Sequence, residues 1–453
     1  MGTTLAFHIF FALFGVGIPL LISLAELIGI LKKDSDFTLM ARRWTFAMAV
    51  LFIVGAISGT IVAVVLSLLL PAFMAITSKV VILPFFMESF AFFIEAIFLG
   101  IYAYSWDTWK GKWTHWLCSL PIVVASAASA FLITTVNAWM TAPAGFSYLN
   151  GVISNVNQWA AMWNAAVPTR TTHSILSYYA TAAFCFAALA AVQLLRKRSR
   201  ERIADSGEER MARGYYEKML VFAMAVAFIF SIATVVSGDS SVRYIAQNEP
   251  QKFAAAEALM TTQSYAPLNM FGIKIPDGLS LLLGETASTV VRGLDAFDPS
   301  TWPPLIIHYF FDSMAVIGVI MFLVPLIFFG LWLYGKKNSR TTKYQDRLCG
   351  QKDGLGIFSL CEGRGFVFSR PMLWATFITG VLSIIGVEVG WMLAEIGRQP
   401  YTIRGILLTA DAFTTSHTVL AYAFVFPLFY IMLAIATVKV LLHHYRKNKV
   451  SDQ

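Results

Sequence analysis

Four side chains in otherwise apolar stretches of this sequence carry atoms that bind iron: His8, His173, Met314 and Glu395. An imidazole and a thioether together make a six-coordinate, low-spin haem iron, and a single ligand leaves one position open. A layer of such groups inside a helical bundle suits haem, whereas zinc asks for a tight tetrahedral cluster. Taken singly, each residue also has a plain account. His8 can sit at an interface, His173 can cap a helix start, Met314 can fill core space, and Glu395 can pair with Arg398 within a turn. Three acids, Glu26, Glu88 and Glu95, lie in equally apolar surroundings, where a carboxyl group is costly unless it has a partner or a task. Glu88 and Glu95 are two helical turns apart, so they share a face at different depths. Buried carboxyls can hand protons along. The alternative is that each is locked in a hydrogen bond between helices.

Positioning these groups takes helices in a membrane. Of 453 residues 57% are hydrophobic and only 13% charged, which excludes an ordinary soluble chain. Crossing a hydrocarbon layer takes roughly 20 apolar residues in helix. Nine runs have that length: Thr4–Leu31, Trp44–Leu70, Val80–Tyr104, Trp116–Met140, Thr172–Leu195, Met219–Val236, Pro304–Tyr334, Met372–Ile396 and Ala412–Leu441. The expected fold is an all-α integral membrane protein with nine transmembrane helices. The first run lacks a basic leader and a small-residue cleavage site, so it reads as a retained span. Cys118, Cys185, Cys349 and Cys361 set neither a disulfide framework nor a zinc site.

The net charge of +8 is informative through its placement. Twenty-six of the 34 Lys and Arg residues fall in loops on one side; only Lys79, Arg170, Arg243, Lys252, Lys274, Arg292, Arg398 and Arg404 fall on the other. Basic loops stay in the cytoplasm, so the N-terminus is expected outside and the C-terminus inside. The cluster from Arg196 to Lys218 is then a solvated cytoplasmic face, with no nucleic-acid role. The chain divides into helices one to six (1–236), an outer loop (237–303) and helices seven to nine (304–453) with an inner connector (335–370). A second outer loop covers Thr141–Thr171. Within the long loop, Gln251–Thr262 should form a short helix with Lys252 and Glu257 near one face, and long loops are commonly functional. On this topology His8 and His173 lie in the outer leaflet, Met314 sits roughly 15 Å into the seventh span, and Glu395 closes the eighth at the same surface. The four potential ligands share a leaflet. Glu26, roughly 27 Å below His8, starts a path that continues through Glu95 and Glu88. His115, His308, His417, His443 and His444 read as structural.

The segment Val387–Tyr401, VEVGWMLAEIGRQPY, resembles the E-x-G-W-x-x-A-E-x-G-R-Q-P-W signature of subunit I of the cytochrome bd-type quinol oxidases. The similarity runs through nearly the whole chain: His8 in F-H-x-F-F, FAFFIE at Phe90–Glu95, NAWM at Asn137–Met140, Gly238–Asp239, and K-F-A-A-A-E from Lys252 to Glu257. Three departures stand out. Asp312 replaces an Arg found in many members two residues before the Met ligand, Tyr401 replaces Trp, and the outer loop is of the short type. The spacing of Glu88 and Glu95 is also one residue shorter than in the members compared.

The resemblance implies three haems. His173 and Met314 would hold the low-spin haem b558, while His8 and Glu395 would each hold one high-spin haem, b595 and d or a third b-type haem, with Trp391 and Arg398 beside them. Lys252 and Glu257 would bind quinol and take its protons. Glu88 and Glu95 would carry substrate protons from the cytoplasm, so that O2 is reduced to water electrogenically and without a pump. The expected partners are a second, haem-free membrane subunit and possibly a small single-helix subunit, in a bacterial or archaeal cytoplasmic membrane. Quinone type stays open, as does whether His8 or Glu395 serves the oxygen-reactive haem. Two other readings are a di-haem quinol-reactive anchor of a respiratory reductase, with low-spin haem alone, and a proton-coupled transporter. The latter would carry internal repeats and midplane helix breaks.

Overall fold

The computed structural model describes residues 2–200, 207–284, 286–339, 368–448 and 450. Among them nine helices are long and apolar enough to cross a membrane. They are α1 (Gly2–Lys32), α2 (Ser35–Leu69), α3 (Ile82–Tyr104), α4 (Ser119–Thr141), α5 (Val167–Arg200), α6 (Gly207–Asn248), α7 (Ile307–Ser339), α8 (Arg370–Ile396) and α9 (His417–Lys447). All nine expected spans are present. Most of the connector at 335–370, with Cys349 and Cys361, lies outside the described residues.

Helix α5 is the most buried of the spans and packs against α1, α4, α6 and α8. Its small residues explain this. Ala180, Ala182, Ala183, Ala187, Ala190 and Ala191 are all fully buried, and without long side chains the neighbouring backbones approach closely, which is how helices associate where lipid is as apolar as the protein. A Cβ on Gly17 of α1 would come within 2.3 Å of the Ala182 Cβ, and one on Gly380 of α8 within 2.5 Å of the Ala188 Cβ.

One end of the bundle carries the basic turns; the other, called here the loop end, carries the long connections. Three small antiparallel hairpins cover the loop end: β1 (Ser147–Leu149) with β2 (Val152–Ser154), β3 (Leu268–Met270) with β4 (Ile273–Ile275), and β5 (Tyr401–Ile403) with β6 (Leu407–Leu408). In the β3–β4 hairpin Leu268 pairs with Ile275 and Met270 with Ile273. Its turn residues Phe271 and Gly272 both take positive φ, the twist that suits a two-residue hairpin.

Two boundaries differ from expectation at this end. Helix α6 continues past Val236 to Asn248. Arg243 pairs with Asp239 at 2.9 Å one turn apart, so polar residues that end the apolar run still propagate helix. It stops at Glu249 because the following Pro250 disfavours helical geometry in the residue before it. The helix expected over Gln251–Thr262 covers only Pro250–Ala256. Ala258 turns left-handed at φ 48° and the Leu259 N–H bonds back to the Ala254 carbonyl at 2.8 Å, a capping turn. Turning there buries Leu259 with Phe253, Leu279 and Val291.

Candidate functional site

Close packing sets the depth of the candidate ligands. Helices α1 and α5 both run from the loop end, and Gly17 faces Ala182. Each of these lies nine residues beyond its helix's histidine, so His8 and His173 sit at one level, about 13 Å above the contact. On the antiparallel pair α7 and α8, Gly390 faces Met314: a Cβ there would lie 3.2 Å from its Sδ. Trp391, the next residue, donates from Nε1 to the Tyr178 hydroxyl of α5 at 2.8 Å. Tyr178 is little more than a turn below His173, and Glu395 is a turn beyond Trp391 towards the loop end. His8, His173, Met314 and Glu395 thus gather in one layer. Trp391 packs in its middle, in a cluster with Ile9 of α1, Tyr178 and Ile175 of α5, and Val387 of α8.

Both histidines use Nδ1 within the protein. His8 Nδ1 lies 3.0 Å from Ser58 Oγ on α2, and His173 Nδ1 lies 3.1 Å from Ser237 Oγ on α6. No described hydrogen bond uses either Nε2, so each ring presents its other nitrogen to a ligand. Imidazole, thioether and carboxylate are the donors that haem iron takes, and the residues fit that group.

Glu395 is held on both oxygens. Oε1 accepts from Asn137 Nδ2 of α4, and Oε2 accepts from Arg398 at 2.5 Å, so the pairing that is the plain alternative for Glu395 does form. A carboxylate has lone pairs to spare for a metal beside two such donors. From here a polar chain runs into the loop segment. Arg170 donates to the Asn137 amide oxygen at 3.3 Å and to both Glu249 oxygens at 2.9 and 3.2 Å. Glu249 lies 3.6 Å from Lys252 Nζ. The Lys252 stem runs over Gly397, where a Cβ would come within 2.6 Å of Lys252 Cε. Burial pushes the Lys252 ammonium down to about 8, against the upward pull of Glu249. Burial also raises Glu249, but the charges of Lys252 and Arg170 outweigh it and hold the carboxyl below its ordinary value.

Lys252 and Glu257 share the short helix and its cap, yet they face different partners. Glu257 is buried and neither carboxyl oxygen has a hydrogen-bond partner. Burial first, then the charge of Asp312, pushes it up to about 8. Asp312 faces the loop: its Oδ2 accepts from the Phe271 N–H in the β3–β4 turn at 2.6 Å and lies 3.4 Å from His308 Nε2. His308 in turn donates from Nδ1 to the Ala256 carbonyl at 2.8 Å. Two residues apart on a helix, Asp312 and Met314 point to different sides.

The three acids divide into two kinds. Glu26 is fully engaged near the basic end: Tyr102 donates to Oε2 at 2.6 Å, and His115 Nδ1 lies 2.6 Å from Oε1. Glu88 accepts from Ser129 of α4 at 3.0 Å, whereas Glu95 Oε1 is buried without a partner. Tyr102, Glu95 and Glu88 fall at seven-residue intervals on α3, each step roughly 10 Å along one face. Ser129 and Asn137 continue the series along α4 to Glu395. Sequence reasoning gave no role to Ser58, Ser237, Asn137, Arg170 and Glu249 in this arrangement, and it marked Asp312 only as a departure beside Met314 that bears on the potential of the low-spin haem. A signal existed for Arg170, since it is charged and adjoins the end of the apolar run that starts at Thr172.

Comparison with known proteins places the chain in a family. The family model of cytochrome bd terminal oxidase subunit I matches residues 1–449. A Bacillus subtilis protein described as a candidate cytochrome bd menaquinol oxidase subunit I is 37% identical over 100% of this chain and 96% of its own length. A second Bacillus subtilis protein, cytochrome bd ubiquinol oxidase subunit 1, is 25% identical over 99% of this chain and 93% of that one. Among solved structures, that of the bd oxidase from Geobacillus thermodenitrificans aligns with a TM-score of 0.84 at 37% identity, covering 99% of this chain and 97% of the other.

Proposed function

Because this chain belongs to the cytochrome bd terminal oxidase subunit I family, and so is the multi-pass, haem-bearing subunit of a bacterial respiratory quinol:O2 oxidoreductase that works with a subunit II, we propose the following roles for its residues. His173 and Met314 hold the low-spin haem b558, and His8 and Glu395 each hold one of the two high-spin haems, b595 and d or a third b-type. Bound haem supplies the one-electron transfers and the open iron position at which O2 is reduced. The protein supplies ligands, docking and proton routes. Trp391 fills the space between the ligand-bearing helices, and Arg398 compensates the Glu395 charge.

Quinol docks against the segment 249–303, which together with the end of α6 corresponds to the expected loop unit 237–303. Lys252, buried and cationic below pH about 8, points its ammonium at a quinol oxygen. Glu257, buried with both oxygens free, takes the proton of a quinol hydroxyl from its deprotonated form. The loop end faces outward and the basic end the cytoplasm, in keeping with the distribution of Lys and Arg. Substrate protons enter near Glu26 and climb through Glu95 and Glu88.

The observation that carries this reading is the partly buried polar chain Lys252–Glu249–Arg170–Asn137–Glu395, which couples the loop segment to a candidate iron ligand. Reduced-minus-oxidised and carbon monoxide difference spectra of the purified complex test it. His173→Ala and Met314→Ala should each remove the low-spin signal, and His8→Ala and Glu395→Ala should each remove one high-spin signal. Four variants with the full set of wild-type bands would overturn the ligand assignment.

A further inference from the structure

Two different helices, α2 and α6, carry the same device. On α2 the run Gly55–Ala56–Ile57–Ser58–Gly59 faces His8; on α6 the run Thr234–Val235–Val236–Ser237–Gly238 faces His173. In each, the serine hydroxyl sits at Nδ1, at 3.0 and 3.1 Å. In each, that hydroxyl donates its single proton to the carbonyl three residues earlier, Gly55 or Thr234, at 3.0 Å. In each, the glycine that follows lies close against the ring: a Cβ would come within 3.0 Å of His8 Cε1 at Gly59, and within 3.3 Å of His173 Cε1 at Gly238.

The chemistry of this repeat is one-directional. A carbonyl only accepts, so it draws the serine proton away from the ring, and a hydroxyl whose proton is committed can only accept from the imidazole. Nδ1 therefore carries the hydrogen and Nε2 carries the lone pair. The glycine removes the one side chain that would tilt the ring at that point.

We propose that Ser58 and Ser237 are positioning residues: with Gly59 and Gly238 they fix the Nε2-lone-pair tautomer and the ring plane of the two histidines before haem binds. A hydrogen bond from the distal N–H raises the basicity of a ligating imidazole and stabilises the ferric state. This rests on the assignment of His8 and His173 as haem ligands, and the two ideas fail separately.

The test uses the complete oxidase complex carrying Ser58→Ala or Ser237→Ala, each beside the matching Thr variant, which keeps the hydroxyl. Readouts are haem content, redox titration, and resonance Raman of the reduced iron–imidazole stretch. Removal of the neighbouring partner of a ligating histidine typically weakens metal binding by roughly 10- to 100-fold. Ser237→Ala should retain low-spin haem on reconstitution at weaker affinity, with its midpoint potential shifted upward. Ser58→Ala should lower the iron–imidazole stretching frequency of the haem on His8, and both Thr variants should restore wild-type values. Unchanged potential, stretch and affinity in both Ala variants would overturn the positioning role while leaving the ligand assignment intact. Full haem retention in His8→Ala and His173→Ala would instead overturn the assignment beneath it. A Thr variant that behaves like its Ala counterpart counts against the hydroxyl as the active group.

Discussion

Glu257 and Lys252 share a short stretch of chain, and burial moves them in opposite directions to the same region, about 8. Glu257 must be deprotonated to take a proton from quinol, so its contribution to turnover rises as pH climbs towards 8. Lys252 must be protonated to hold a quinol oxygen, so its contribution falls above 8. The expected profile of quinol oxidation is a bell centred near that pH. Glu257→Gln should abolish the alkaline-rising limb and lower kcat by on the order of 100-fold, whereas Lys252→Met should act chiefly on the quinol KM. Linkage gives an independent check. The folded-state carboxyl of Glu257 is raised above its ordinary 4.5, so its contribution to stability is complete below 4.5 and is lost as pH rises through about 8. Thermal midpoints of the wild type should fall over that window more than those of Glu257→Gln; parallel curves would show that the group titrates normally. The sequence named both residues, because an acid and a lysine in a short amphipathic segment are visible as such. Their surroundings were not visible. Nothing in the spacing indicates that Lys252 lies over Gly397 on the far side of α8, or that Asp312 turns to the loop and away from Met314.

At the level of elements, hydropathy revealed every span because the membrane imposes one length and one composition on each. Boundaries at the loop end were less legible, since a helix leaving the membrane obeys ordinary capping and ion-pair chemistry, as α6 does beyond Val236. The interrupted helix at Glu257 is the clearest case. An alanine-rich run propagates in isolation, and only the tertiary burial of Leu259 turns the chain at Ala258. That turn places a non-glycine residue at φ 48°, a conformation costing an L-residue about 1 kcal/mol. Ala258→Gly should therefore raise stability by about 1 kcal/mol, seen as slower amide exchange at Leu259, and a variant no more protected than wild type would argue against strain there. The small-residue contacts of α5 make the opposite prediction. Gly380→Val must push α8 away from Phe184 and Ala188, and overpacking of this kind costs about 1–3 kcal/mol. A lower thermal midpoint and a perturbed spectrum of the haem on His173 are the expected signs.

For the molecule as a whole, the proposed function divides the chemistry between the two ends, and this makes direction measurable. On that proposal quinol would give up protons at the loop end, and O2 reduction would draw protons through the acids of α3 from the basic end. Each electron would then leave one proton outside and remove one from inside, so charge would cross the membrane with no pumping element. Glu95 is the step best isolated for test: buried, with one oxygen unpartnered, a turn series away from both Tyr102 and Glu88, and far from the quinol segment. In vesicles holding the complete oxidase and a trapped pH dye, with the basic end inside, Glu95→Gln should slow O2 consumption and internal alkalinisation together, by on the order of 100-fold. Anaerobic reduction of the haems by quinol should keep its wild-type rate, because that half of the reaction uses the other end of the bundle. Lys252→Met should show the converse, with slow haem reduction and normal reoxidation by O2 once the haems are chemically reduced. If Glu95→Gln instead slowed anaerobic haem reduction, the carboxyl would belong to the quinol side or to the packing of α3, and the division of labour between the two ends would have to be redrawn.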